Sequence, residues 1–514
     1  MNAKKAILGL SYIYVGLPVM LFFLGWTKWW IAMPVCLLLI YSFGKAVNNE
    51  TELWLPKFDR ETLQLGGIVL LLIVLWVYFS GIGGRVSQTF DHYWRNTIFN
   101  ILVEYDWPVQ KEVVLDGIAQ NRVMIYYIGF WLPAAVIGKL FGLAAGYTFQ
   151  MFWAILGISL VYIYVTSFLK RMSTLPIIGM MLFSGLDYLG YFFTGADMVS
   201  MGYENHFETW NRFYQYSSFT TQLNWVYNQA IYAWLLVCLI LIQKNSRQVV
   251  LIWGCGLISA TLPFVGLIPF LVYKIIDNGV EVCKSKKQTS VAIRGLFTVE
   301  NVYCGGCVGI MTFLYLIGNG TLNITNVSVN IFEMGTPGNY VVNNGIVGRI
   351  TSLMAALVSN PAELSKAFWY ILFIVLEIGV YCILIYRYQR NNILFYLTVI
   401  TLCLVPKIEF GGYNEFCMRA SIPALLVLFV LVMQAWYKAL EHKDWMRVIA
   451  LVLLLAIGAR TTLGEFMTAT VNTSRQTKEE IGIQMEMVEE DRVFQGGNFS
   501  GERGGNFFFE YLAK

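Results

Sequence analysis

Long apolar stretches recur along the whole chain, separated by short polar or basic segments. About 20 apolar residues in a helix cross the hydrocarbon core of a bilayer. The pattern predicts about thirteen spans. In chain order they lie near Ile7–Leu24, Trp29–Phe43, Leu63–Ile82, Tyr147–Leu169, Leu175–Phe193, Gln229–Ile242, Val249–Leu262, Phe264–Ile276, Asn301–Gly318, Phe368–Tyr386, Ile393–Leu404, Ile422–Trp436 and Val448–Ile457. We therefore expect an all-α polytopic membrane protein.

The distribution of basic residues predicts which loops face the cytoplasm. Met1–Lys5 is basic and is expected inside, and later basic loops alternate with acidic or aromatic ones. This alternation places three polar loops outside: Gln88–Lys111, Gly195–Asn228 and Asn319–Lys366. We expect a transmembrane domain over residues 1–461 and an extracytoplasmic polar tail over residues 462–514.

Two further segments are predicted to lie in the membrane interface without crossing it. Val123–Leu143 is apolar, but Pro133, Lys139 and several glycines interrupt it. If it crossed, the following span would carry basic residues to the outside, against the charge rule. It therefore fits an interfacial helix, and Ile346–Val358 fits a second one.

Composition supports a membrane protein and argues against nucleic acid as a partner. Of the 514 residues, 57% are hydrophobic and 13% are charged, whereas soluble domains carry about 25% charged residues. The net charge is only +4 and no basic run is suited to nucleic acid. We expect the cytoplasmic membrane of a bacterium, with lipid as the surrounding partner.

The first outer loop holds the strongest candidate for chemistry. Asp91 comes shortly after a span, and His92, Trp94, Arg95 and Asn96 follow it within five residues. A carboxylate at the mouth of a membrane helix is costly to desolvate and is therefore a functional candidate. Asp91 fits either a general base or a helix cap. Arg95, one helical turn later, fits either a phosphate contact or an ion pair with Asp91, and His92, Trp94 and Asn96 fit an acceptor or sugar site.

The second outer loop offers further candidates. His206 and Glu208 lie two residues apart, so an extended backbone would place both on one side. They fit a second proton-transfer pair or a divalent-metal site shared with Asp91. Alternatively, His206 is simply a solvated histidine. The neighbouring aromatic residues Trp210, Tyr214 and Trp225 fit sugar stacking, and equally an aromatic membrane belt.

Charged residues in the last third of the chain suggest contacts to phosphate or gating roles. Lys407 and Arg419 lie between two late spans, where a cation would neutralise a phosphate; Arg419 alternatively anchors its span in the headgroups. Glu377 is an acid within a span and needs a partner or a proton. Together with Glu409, it would serve as a gate in a transporter.

The order of these features resembles the GT-C superfamily of integral-membrane glycosyltransferases. The span Leu63–Ile82 is followed by an outer loop with the early acid Asp91, then by the tyrosine-rich stretch YYIGFWLP…KLFG within Val123–Leu143. The resemblance implies transfer of a sugar from a polyprenyl-phosphate carrier to an extracytoplasmic glycan or lipid-linked saccharide, with Asp91 as base. The family often has two neighbouring acids, whereas here His92 follows Asp91, so metal use stays open and no cofactor is assigned.

Two other functions fit the same pattern. One is a flippase or transporter for a lipid-linked saccharide, and the other is a polysaccharide polymerase or ligase that uses polyprenyl-diphosphate chains. The absence of an evident internal repeat disfavours an inverted-repeat transporter.

Overall fold

The computed structural model describes most of the chain. The described residues are 3–115, 117–194, 206–211, 213–284, 295–318, 361–408, 410, 415–475, 490–495 and 498–514. Several predictions lie wholly or partly outside them: the outer loop Asn319–Lys366 over most of its length, the interfacial helix Ile346–Val358, Glu409, residues 195–205 and 212 of the outer loop Gly195–Asn228, and residues 476–489 and 496–497 of the predicted tail.

The described part of the chain is mostly helical, as the apolar pattern predicts. The helices are α1 (Ala3–Trp26), α2 (Trp29–Ala46), α3 (Arg60–Phe79), α4 (Asp91–Glu104), α5 (Leu132–Phe141), α6 (Leu143–Leu169), α7 (Leu175–Leu182), α8 (Asp187–Thr194), α9 (Phe219–Ile242), α10 (Val249–Gly254), α11 (Thr261–Gly266), α12 (Ile268–Lys284), α13 (Gly306–Leu316), α14 (Pro361–Ile374), α15 (Val380–Gln389), α16 (Ile393–Leu404), α17 (Glu415–Ala420), α18 (Ile422–Glu441), α19 (Trp445–Arg475) and α20 (Glu490–Gln495). Short π-helical turns precede α13 (Val299–Gly305) and join α14 to α15 (Val375–Gly379).

Eleven helical stretches in the described residues are long and apolar enough to cross a membrane. The multi-pass architecture is therefore shown, with fewer such stretches than the thirteen spans predicted. Two of the predicted spans differ. Val249–Leu262 forms only the short helix α10 followed by turns, and Ile393–Leu404 forms a helix of 12 residues. In the first, Gly254 and Gly256 interrupt the apolar run, and α11 begins only at Thr261.

A small antiparallel sheet lies within the otherwise helical chain and was not predicted. β1 (Gln110–Leu115) pairs with β2 (Ile118–Met124), and β2 pairs with β3 (Ser500–Glu502). The sequence Asp-Gly at 116–117 separates the first two strands, and Gly117 has φ +80°. Glycine tolerates this conformation, and Asp-Gly is a typical hairpin sequence. β2 also occupies the start of Val123–Leu143, so the predicted interfacial helix begins later, as α5.

The chain divides into two compact units. The first comprises Met1–Ser173, Asn224–Ile324 and Thr473–Lys514, and the second comprises Thr174–Leu223 and Thr325–Asn472. Each unit has its own aromatic core.

Close helix packing in the first unit centres on Tyr14 of α1. Its ring stacks on Trp153 of α6, with centroids 4.2 Å apart, and tilts against Tyr232 of α9 at 5.2 Å. Gly157 makes room for this ring, because a methyl group there would overlap the Tyr14 hydroxyl. Small residues allow membrane helices to approach closely in this way.

The core of the second unit is built around Phe429 of α18. Phe183 and Phe219 pack on it edge to face, with ring centroids 5.3 and 5.6 Å away. Gly179 of α7 lies against the same ring, where a methyl group would be 3.0 Å from Cε2. These contacts hold α7, the start of α9 and α18 together.

The C-terminal segment packs against the earlier parts of the first unit, to which it belongs. Besides β3, Phe508 is fully buried against Phe22 and Tyr315, and Lys28 N donates to Leu512 O at 2.9 Å. The aromatic end of the tail therefore packs on the protein. α19 continues from Trp445 to Arg475, past residue 461, where the transmembrane domain was predicted to end.

Candidate functional site

Asp91 stands at the start of α4 in the first unit. The residue before it, Phe90, occupies the N-cap position, and no side chain caps the helix there. Asp91 instead accepts a hydrogen bond through Oδ2 from Nη2 of Arg95 at 3.0 Å, one turn further along α4. Its side chain is 35% exposed, so the carboxylate is both anchored and partly accessible at the protein surface.

Arg95 anchors this carboxylate from inside the protein. Its side chain is only 6% exposed, its Nε donates to Asn228 Oδ1 at 3.4 Å, and its guanidinium lies 5.9 Å from the ring centroid of Tyr227. Two buried donors beside it, Arg95 Nη1 and Asn228 Nδ2, have no hydrogen-bond partner among the described residues. Buried donors normally have partners, so an oxygen atom of water or of a ligand would satisfy each of these two.

His92 and Asn96, which follow Asp91 on α4, form hydrogen bonds with neighbouring protein groups. Burial, together with the nearby charge of Arg95, lowers the pKa of His92 to about 3, so the imidazole is neutral. Its Nε2 is 2.9 Å from the carbonyl oxygen of Asn224, so Nε2 carries the proton and Nδ1 accepts from Gln88 Nε2 at 3.1 Å. Asn96 donates to Gln88 Oε1 at 2.8 Å. His92 and Asn96, two of the residues predicted to bind the acceptor or sugar, therefore form hydrogen bonds with protein groups.

The aromatic residues near this site have different environments. Trp94 is half-buried and stacks on Phe499, with ring centroids 5.2 Å apart, which ties α4 to the C-terminal segment. Tyr126 packs on the same Phe499 ring at 5.0 Å. Trp225 of α9 is half-buried. Part of the Trp94 and Trp225 surface is therefore accessible beside the site.

The second unit contains the other predicted acid–base pair, His206 and Glu208. Burial raises the pKa of Glu208 to about 7; nearby Asp187 adds to this rise and His206 opposes it. Glu208 Oε1 accepts from Ser218 N at 2.8 Å, and Oε2 accepts from Gln215 Nε2 at 3.1 Å. Both oxygens are thus held by protein donors.

His206 pairs with an acid of α19. Burial alone would lower the pKa of His206, but its hydrogen bond to Glu465 and the charge of that residue outweigh burial and raise the pKa to about 9. Nδ1 lies 2.8 Å from Glu465 Oε1. The histidine is therefore an imidazolium near neutral pH.

Trp210 and Tyr214 are interior residues of the second unit. The Trp210 indole donates to Glu377 Oε1 at 3.0 Å, and its ring packs tightly against Gly190. Tyr214 packs between Tyr370 and Phe373, with centroids 5.6 and 5.3 Å away. Both side chains are almost fully buried, so the structure places them in a packed core and not on an open sugar platform.

The two predicted phosphate-binding cations of the second unit already have protein partners. Lys407 Nζ lies 3.5 Å from the ring centroid of Tyr370, a cation–π geometry. Arg419 Nη1 donates to Glu415 Oε2 at 2.7 Å. A phosphate bound by Arg419 would have to share it with Glu415.

Sequence reasoning missed Asp187, which meets Glu377 inside the second unit. Asp187 has no exposed surface and Glu377 is 4% exposed, and their carboxyl groups are within hydrogen-bonding range of each other. The only sequence signal is a single acid in an apolar run, LDYLGYFF, within the predicted span Leu175–Phe193.

Comparison of the chain with known protein families, characterised proteins and solved structures gave no match.

The geometry itself therefore carries the functional argument. The structure brings Asp91, His92, Arg95 and Asn96 together in the first unit, and it brings His206, Glu208 and Trp210 together with Glu377 in the second. In the described parts of the chain, no group of three or more His, Cys, Asp or Glu residues has an arrangement that could hold a metal ion. Of these residues, Asp91 is the acid that combines a partly exposed side chain with a fixed orientation.

Proposed function

We propose that this protein is a membrane glycosyltransferase similar to the GT-C superfamily. It would move a sugar from a polyprenyl-phosphate carrier to a glycan or lipid-linked acceptor on the extracytoplasmic side of a bacterial cytoplasmic membrane. The single observation that carries the proposal is the partly exposed carboxylate of Asp91, which the buried guanidinium of Arg95 holds at the start of α4.

The proposed chemistry assigns one task to each oxygen of Asp91. Oδ2 is held by Arg95, which leaves Oδ1 to take a proton from the acceptor hydroxyl. The acceptor oxygen attacks the anomeric carbon, the bond between that carbon and the phosphate oxygen breaks, and the carrier leaves as polyprenyl phosphate. A base within hydrogen-bonding reach of the acceptor typically contributes about 10²–10⁴-fold to the rate.

Arg95 and Asn228 supply the proposed phosphate contact. Both present a buried N–H donor that lacks a partner among the described residues, and phosphate oxygens are strong acceptors for such donors. The positive charge of Arg95 would stabilise the negative charge that develops on the leaving phosphate. Lys407 and Arg419 remain additional proposals for this role, whereas His206 and Glu208 are not needed for the step.

The test measures transfer in proteoliposomes supplied with a labelled polyprenyl-phosphate sugar and an acceptor fraction. Asp91→Asn removes the base but keeps the shape, so we expect a loss of at least about 100-fold in rate. Asp59→Asn is the matched control, because Asp59 caps α3 through a bond from Thr62 N, and asparagine caps equally well. Full transfer by the Asp91 variant would refute the assignment.

One observation favours the transporter alternative. Glu377 lies in a π-helical turn within a membrane-spanning helix and faces a second buried acid, and intramembrane acids commonly mark ion or substrate paths. Carrier binding without transfer, in both wild type and the Asp91 variant, would favour this function. Preferential binding of a diphosphate over a monophosphate carrier would instead favour the polymerase or ligase alternative.

A further inference from the structure

The apolar stretch that contains Asp187 is a broken helix. α7 ends at Leu182 and α8 begins at Asp187, although residues 175–193 together are apolar enough to span a membrane. Neighbouring elements satisfy backbone groups exposed by the break: Leu186 N donates to Leu376 O at 3.2 Å, and the Tyr381 hydroxyl donates to Ser184 O at 3.0 Å. Irregular backbone within a membrane helix requires such partners.

The helix opposite the break is also irregular. α14 and α15 are joined by the π-helical turn Val375–Gly379, which carries Glu377 near the middle of the candidate span Ala367–Gln389. Single π-helical turns are rare and frequently occur at functional sites. The break and the turn therefore place two acids at one buried point.

In each of these two acids, one carboxyl oxygen accepts hydrogen bonds and the other has no donor among the described residues. Asp187 Oδ2 accepts from the Ser184 hydroxyl at 2.5 Å and from the Thr461 hydroxyl at 3.3 Å, and Glu377 Oε1 accepts from the Trp210 indole. The other two oxygens, Asp187 Oδ1 and Glu377 Oε2, are buried and have no donor among the described residues.

We propose that Asp187 and Glu377 form a proton-binding site in which one exchangeable proton is shared between Asp187 Oδ1 and Glu377 Oε2. Two ionised carboxylates in contact would repel each other, and isolation from water makes each charge more costly. One proton removes a charge and gives both open oxygens a hydrogen bond. The site is independent of Asp91 and of the proposed transferase activity.

Polar residues of α19 and of the loop before α9 lie near this pair. Thr461, which donates to Asp187, and Glu465 are four residues apart and lie on one face of α19. Glu465 pairs with His206, and Gln215 Nε2 lies 3.5 Å from His206 Nε2 while donating to Glu208. Glu208, whose pKa burial raises to about 7, gains and loses its proton near neutral pH, whereas His206, with a pKa of about 9, stays protonated there.

Other titratable groups around the pair are neutral or turned elsewhere. Tyr216, Tyr381 and Cys417 are within electrostatic range of Glu377 and carry no charge near neutral pH. Arg460 of α19 packs its guanidinium over the rings of Tyr188 and Phe207. Among the described residues, the charge of His206 acts on Asp187 and that of Glu208 acts on Glu377.

Infrared spectroscopy of the full chain in nanodiscs tests the site. A protonated carboxylic acid has a carbonyl-stretch band separate from that of carboxylates, and the band shifts when the proton is replaced by deuterium. At neutral pH, half-protonated Glu208 also contributes an acid band. Each variant is therefore compared with wild type, and we expect Glu377→Gln and Asp187→Asn each to lose the part of the band that comes from the shared proton. In both variants the amide can donate to the remaining carboxylate, so the fold should persist.

Glu300→Gln is the matched control. Glu300 is also a buried glutamate, but Lys45 Nζ lies 3.3 Å from its Oε1 and neutralises its charge. This variant should keep the band at full intensity. A wild-type spectrum without a deuterium-sensitive acid band would overturn the proposal even if the variants failed to fold. An acid band of unchanged intensity in both pair variants, or one whose pair-dependent part sodium ions abolish at constant pH, would also overturn it.

Discussion

Replacing Gly185 with alanine should disturb the contact between the broken helix and Glu377. The added methyl group would overlap Glu377 Oε2 and lie 2.6 Å from its Cδ and 3.1 Å from its Cα. The end of a glutamate can usually move aside, but here the Trp210 indole holds Oε1 and the Asp187 side chain lies close to the carboxyl group. The backbone at Glu377 is also too close to leave the methyl group room.

The size of the effect follows from these contacts. Overpacking a well-packed interior costs about 1–3 kcal/mol, and we place Gly185→Ala at the upper end, at about 2–3 kcal/mol, because the Trp210 bond must also distort. For a cooperative unit of about 150–250 residues, each kcal/mol lowers Tm by about 2–4 °C. We therefore expect Tm to fall by roughly 4–12 °C.

Thermal unfolding of the purified protein in nanodiscs, followed by tryptophan fluorescence, measures this shift. Gly44→Ala is the control, because nothing lies within 4 Å of a methyl group at that position in α2. An alanine in a helix interior is favoured over glycine by about 0.5–1 kcal/mol, so this variant should unfold at the same or a higher temperature. A Gly185 variant as stable as wild type would refute the packing described for the acid pair.

Three further predictions concern stability. In a double-mutant cycle of Asp91→Asn and Arg95→Gln, we expect a coupling energy of about 1 kcal/mol, reduced from a fully buried value because Asp91 is partly exposed; strictly additive effects would contradict the ion pair. Glu208 and His206 both bind protons more tightly in the folded state than in the unfolded state, so protonation of each stabilises the fold. The free energy of unfolding should therefore fall as pH rises from 4.5 to about 7, because of Glu208, and from 6.5 to about 9, because of His206, by at most about 3 kcal/mol each. Denaturant titrations that show stability rising over pH 5–9 would contradict this sign. Phe508→Ala should lower the free energy of unfolding by about 3–5 kcal/mol, because the ring is fully buried. An unchanged unfolding midpoint would show that packing of the C-terminal segment does not stabilise the fold.

The sequence predicts well those features that depend on local composition. The first three spans were expected at Ile7–Leu24, Trp29–Phe43 and Leu63–Ile82, and α1, α2 and α3 cover nearly the same residues. Apolar residues over the length of a bilayer determine such helices without help from distant contacts. The pairing of Asp91 with Arg95 is also local, because residues four apart on a helix are neighbours.

Features that depend on distant residues could not be predicted from local patterns. Asp187 and Glu377 are buried against each other, yet each appears in the sequence as a single acid in an apolar run. Trp210 and Tyr214 have the composition of a binding loop, and only the fold shows that neighbouring helices cover their rings. The pairing of β2 with β3 joins two segments whose short strands carry almost no signal of their own.

That last pairing has a consequence for how the protein is made. β2 ends at Met124 and its outer partner begins at Ser500, so nearly 380 residues are translated between them, which takes roughly 20–75 s at about 5–20 residues per second. During this interval the hairpin on the nascent chain presents an unpaired strand edge, which is a template for association with other chains. Completion of the first unit is therefore a late event in synthesis, and a chain truncated before Ser500 would keep this strand edge unpaired.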